Sequence, residues 1–193
     1  MKKELLQQIA RTAYNVGFGA KKHFATYDMV EKLPGIIEFL SISIGILALV
    51  FDIFNVKCIS AMLIIAGIGS IYISKYDKEK DSYNETGKEL LSIFEEMEQL
   101  YSKVKIKNED DGFVKEEEKL KELKEQFHCI SISKQILFSD AFAHCKFFWE
   151  YKTKIKWIQE EIKLNWTDKI PLCKCIFIML GILFFIVICF ICN

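Results

Sequence analysis

The chain has 193 residues, enough for one domain or one small domain with attachments. Its 26 basic and 26 acidic groups cancel, which excludes a global field aimed at nucleic acid, and no direct nucleic-acid binding is expected. Apolar residues make up 51% and charged residues 27%, so the two classes must be segregated along the chain, as in a membrane protein with a polar domain.

Residues 1–33 carry six basic and three acidic groups and contain IARTAYNVGFGAKKHFATYDMVEKL. Leu5, Ile9, Thr12, Val16, His23 and Tyr27 fall near one helical face, and Gly19 and Ala20 leave room for a neighbour. This predicts a cytosolic amphipathic helix packed on other helices. Gly17 and Gly19 do not form a phosphate loop: no strand precedes them and the spacing is not GxGxxG. No signal peptide is expected, because charge-free sequence does not begin until about residue 35. Arg11 is the single arginine among twenty-five lysines. It reads either as a salt bridge to Glu95 or Glu96, or as a bidentate contact to a signal molecule or a second subunit.

Residues 34–75 are expected to form a transmembrane hairpin. Its first span covers residues 33–55, with Pro34 in a first helical turn, and its second covers residues 58–74; only DIFNVK separates them. Glu38 and Asp52 lie inside the first span, one near each membrane surface. A charge at a span's centre costs about 2.5–3.5 kcal/mol, which makes both acids functional candidates. Fourteen residues on a helix return to within about 40° of one face. With Ser41 and Gly45 the two acids could therefore line an oligomeric pore; otherwise Glu38 pairs with Lys32 and Asp52 caps the turn. Ser41-x-x-x-Gly45 and Ala66-x-x-x-Ser70, the latter beside Gly67 and Gly69, are small-residue stripes that let spans approach closely.

Residues 76–169 are expected to be a cytosolic helical hairpin. Tyr83, Leu90, Phe94, Met97, Tyr101 and Val104 follow the 4/3 spacing of a coiled-coil seam, and KNEDDG with Gly112 marks a turn. A second register runs from Leu120 through Leu123, Phe127, Ile130, Lys134, Leu137, Ala141, His144, Phe148, Tyr151, Ile155 and Ile158 to Ile162. It predicts a helix over about 114–165, with the β-branched CISIS (129–133) as its bend. His128-Cys129 and His144-Cys145 match no zinc spacing, and no catalytic set or cofactor site is read. Residues 170–193, holding the apolar run CIFIMLGILFFIVICFICN, are expected to form a third, C-terminal transmembrane helix. The expected fold class is thus an all-α membrane protein: amphipathic helix, hairpin, long coiled-coil-like helices and third span. The seven cysteines lie in apolar runs or in the presumed cytosol and read as reduced thiols.

Lysines flank the spans on the side of the N-terminus and the middle region, which places both in the cytoplasm and the C-terminus outside. The run RTAYNVGFGAKKHFATYDMVEKLPG, leading directly into the two-span hairpin, resembles the SLATT domains, named for association with SMODS nucleotidyltransferases and SLOG nucleotide sensors. The resemblance implies a membrane effector of an antiphage conflict system that oligomerises and perforates or depolarises the membrane, and that is not an enzyme. Its trigger would come from a nucleotidyltransferase, a SLOG sensor or a reverse transcriptase. The competing reading is a non-conducting scaffold in the lipid bilayer that recruits a cytosolic partner through its helices.

Overall fold

The computed structural model describes residues 1–51, 57–109 and 112–165, apart from the side chain of Cys58. These residues form α1 (Lys2–Val50), α2 (Lys57–Ser74), a 3-10 turn (Asp77–Glu79), α3 (Lys80–Ile106), α4 (Val114–Ile130), α5 (Ser139–Cys145), a π-helical turn (Lys146–Glu150) and α6 (Lys156–Ile162). Helix α1 is a single rod of 49 residues, about 73 Å at 1.5 Å per residue. Pro34 lies inside it, not in a first turn, so amphipathic segment and first span are continuous. Proline deprives the Val30 carbonyl of its amide donor. Packing holds the helix together there: Val30, Leu33 and Ile37 press against Ile73 and Tyr76.

The N-terminal half of α1 is the axis of a helical bundle, with α3 antiparallel to it. Lys2 Nζ donates to the Lys107 carbonyl at 2.6 Å, Gly17 faces Phe94 and Gly87 faces Phe24, and Lys80 pairs with Glu31 at 2.8 Å. Descending α3 thus means ascending α1, one residue for one. All six seam residues of α3 are buried, as the 4/3 spacing predicts; Tyr83 packs with Val30, Ile73 and Tyr76, and the other five meet Leu5, Ile9, Ala13, Val16 and Ala20 of α1 in the main core. Helix α4 turns back along α3, tied by Lys107–Glu116 at 2.9 Å and Lys119–Glu96 at 3.2 Å. The long helix expected over 114–165 is corrected: α4 ends at Ile130, and residues 131–136 have no helical structure. β-branched Ile132 favours extended backbone, its neighbours Ser131 and Ser133 are weak helix formers, and the change of period puts Ile136 inside and Leu137 outside. From Ser139 the chain returns down the bundle, where Phe147 reaches Gly17 and Tyr101 donates to Glu161 at 3.0 Å.

The three-span architecture is also corrected. Among the described residues two helices are long and apolar enough to cross a membrane, the one containing residues 34–50 and the one beginning with α2, and the fold is all-α with a two-span hairpin. An apolar run meets the length criterion by composition alone; what marks these two is a helix whose apolar side chains stay uncovered. Leu49 is 88% exposed, Phe39 70% and Ile71 67%, an all-round apolar surface that suits hydrocarbon and not water. The run at 175–193 lies outside the described residues.

Candidate functional site

The spans are short. Residues 34–50 and 57–74 rise about 25–27 Å, near the lower limit for a hydrocarbon core. Glu38 is exposed on α1, one turn beyond Pro34; Ser41 is half-buried, and Gly45 is exposed with nothing within 4 Å of where a Cβ would sit. These three share one side of the helix. Asp52 lies outside the described residues. On α2, Ala66, Gly67, Gly69 and Ser70 are half-buried, and a Cβ on Gly67 or Gly69 would also meet nothing within 4 Å. Among the described residues, none packs closely on Gly45, Gly67 or Gly69. The bundle differs: a Cβ on Gly17 would stand 2.8 Å from Phe94 and 2.9 Å from Phe147, and one on Gly87 2.9 Å from Phe24.

Arg11 lies on the exposed face of α1 beside Glu4, Gln7 and Gln8. Of the two acids, Glu95 and Glu96, considered as its salt-bridge partner, Glu96 pairs with Lys119 at 3.2 Å. The two His-Cys pairs stay apart, with Cys129 exposed and His144 buried, and no group of three metal-ligating side chains occurs among the described residues.

The junction between bundle and hairpin is built from groups that sequence reading did not assemble. Residues 131–138 form a strap running beside α1 toward the spans, and side chains from three helices satisfy its backbone. Ile132 N–H donates to His23 Nε2 at 3.1 Å. Tyr83 donates to the Lys134 carbonyl at 2.8 Å, Tyr76 to the Gln135 carbonyl at 3.5 Å, and Leu137 N–H to the Tyr72 hydroxyl at 3.4 Å. Thr26 donates to the Gln135 side chain at 2.5 Å. Because His23 Nδ1 faces the Gly19 carbonyl at 2.8 Å, the proton sits on Nδ1 and Nε2 is the acceptor. Burial lowers the His23 pKa and keeps the ring neutral. Around this strap lie ion pairs: Asp28 binds both Lys32, at 2.6 Å, and Lys146, and Lys22 meets Asp140 at 2.7 Å. Burial raises the Asp28 pKa, but the two lysines outweigh it and hold the carboxylate below its usual range. Lys21, 7% exposed, lies 3.3 Å over the Tyr151 ring. Desolvation lowers it to about 8, the Glu150 charge opposing and Lys146 and Lys154 adding to the fall. The only sequence signal for the strap was CISIS; its anchors are single polar residues on otherwise apolar faces, which no local pattern marks.

A family model described as SMODS and SLOG-associating 2TM effector domain 6 matches residues 1–178. No curated protein and no solved structure matches the chain.

Proposed function

Because the chain belongs to the SMODS and SLOG-associating two-transmembrane effector family, a family of membrane-associated effectors and not of enzymes, we propose that it is the membrane effector of a bacterial antiphage system and that it oligomerises to conduct ions when triggered. One observation carries this reading: α1 is a continuous helix whose first half is the bundle axis and whose second half is a span. Any rearrangement a signal imposes on the bundle reaches the bilayer through that helix without a loop to absorb it. The stripe of exposed Glu38 and Gly45 with half-buried Ser41, and the small residues of α2, supply the surface on which spans of several chains meet. The bundle faces the cytoplasm, where Arg11 offers a planar, two-donor contact to a nucleotide, a partner enzyme or a second subunit.

Carboxylates ringing a pore raise the local concentration of cations. Glu38→Gln keeps the shape and removes the charge, so insertion into vesicles is expected to be unchanged while ion leak loses its preference for cations. Leak with an unaltered cation preference would remove Glu38 from the conduit. A chain that inserts, assembles and passes no ions under any trigger would leave the scaffold reading in its place.

A further inference from the structure

The strap ends in a feature that neither the spans nor the bundle core explains. Leu137 is 59% exposed, Phe138 45% and Phe142, one turn on, 47%. Phe138 adopts φ 73, the left-handed region, which crowds the Cβ of a side chain; glycine or asparagine would sit there more easily. We propose that the Leu137–Phe138 tip, backed by Phe142, is a lipid-inserting anchor that seats the bundle on the bilayer surface, an inference that rests on reading α1 and α2 as spans.

Three observations choose lipid as the occupant. The first is height. Leu137 N–H bonds to Tyr72, in the last turn of α2, and Ile136 is buried with Ile73, Leu33 and Ile37. The tip therefore stands level with the end of the apolar surface of the hairpin and continues it sideways. The second is chemistry: Tyr72 and Tyr76, with aromatic bodies and hydroxyl tips, are the residues found at the boundary of hydrocarbon and water. The third is charge. Nearby Asp28, Asp140 and Glu79 are each matched by a lysine, Lys134 pairing with Glu79 at 3.6 Å, so none of the three sets an unpaired negative charge against lipid phosphates. An apolar, strained tip beside aromatic hydroxyls, with its neighbouring carboxylates neutralised, fits a membrane surface.

The test places the photoreactive residue benzoylphenylalanine at Leu137, at Leu49 in the span and at the exposed Ile106 at the far end of the bundle. Each full-length variant is illuminated in vesicles of phosphatidylethanolamine and phosphatidylglycerol. Lipid adducts are expected at 137 and 49 and not at 106. Adducts at 49 without any at 137 would overturn the anchor and leave the spans standing, as would adducts at 137 that join two protein chains. Absence at both 49 and 137 would overturn the span reading and the anchor together.

Discussion

His23 accepts a hydrogen bond with a nitrogen that a proton would convert to a donor. Its Nδ1–H is committed to the Gly19 carbonyl, so protonation must occur at Nε2 and would set two N–H groups against each other at Ile132. Because burial lowers its pKa from the ordinary 6.5, the unfolded chain binds this proton at a higher pH than the folded one. Stability is therefore unaffected by this residue above about pH 6.5 and falls as the solution is acidified toward the lowered value. His23→Gln should reduce the loss of melting temperature between about pH 7.5 and about pH 5.5; an unchanged pH profile would mean the ring is not read as neutral. Lys21 shows the weighing of two effects. The Glu150 charge favours the cation, yet the pKa still falls to about 8, so the cost of removing the ammonium from water is the larger. Gly17 is the most constrained glycine by space. Phe94 and Phe147 are both buried, leaving little room to yield, and Gly17→Ala should cost about 1–3 kcal/mol in chemical denaturation, as overpacking does.

The strap behaves as an element of its own, since its backbone depends on side chains instead of on a ladder of its own amides. Removing one of those side-chain donors should loosen the strap without unfolding the bundle. Tyr83→Phe keeps the buried ring and deletes the bond to Lys134, worth about 0.5–1.5 kcal/mol. Limited proteolysis within 131–136 should then quicken while the melting temperature moves little. Elements differ in how far they could be read in advance. The seam of α3 was legible because its spacing is local and unbroken from Leu90 to Val104, and the hairpin because charge-free runs announce themselves. The continuity of α1 was hidden: its pattern changes at Pro34 from one apolar face to apolar all round, and that change reads as a boundary. The second register misled from 131 onward, where six non-helical residues shift the period and exchange Leu137 for Ile136 in the core. The apolar run at 175–193 was read from composition, which measures greasiness but not placement. Among site residues, Gly19 was placed on the packed face from sequence, and Phe127 does lie 3.3 Å from where its Cβ would be. The match of Gly87 to Phe24 joins positions too distant in the chain for any spacing rule.

The whole molecule divides into a bundle that uses its glycines and a hairpin that does not. Gly17 and Gly87 are filled from within the chain, whereas Gly45, Gly67 and Gly69 have no neighbour within 4 Å among the described residues. On the proposed reading the space beside them is taken by neighbouring copies, so a bulky residue should leave the fold of one chain intact and act only on assembly. Gly45→Leu should preserve helicity and thermal unfolding while lowering the yield of cross-linked oligomers, and equal yields from both proteins would show that this face is not an interface. The same open face has a kinetic meaning. A surface completed by other copies obeys mass action in two dimensions, and the abundance of complete assemblies then rises as a power of the number of chains per area of membrane. Leak per vesicle should therefore climb more steeply than protein per lipid, with sparse chains silent and crowded ones abruptly active. Gene dosage would set a threshold below which the cell carries its own effector without harm.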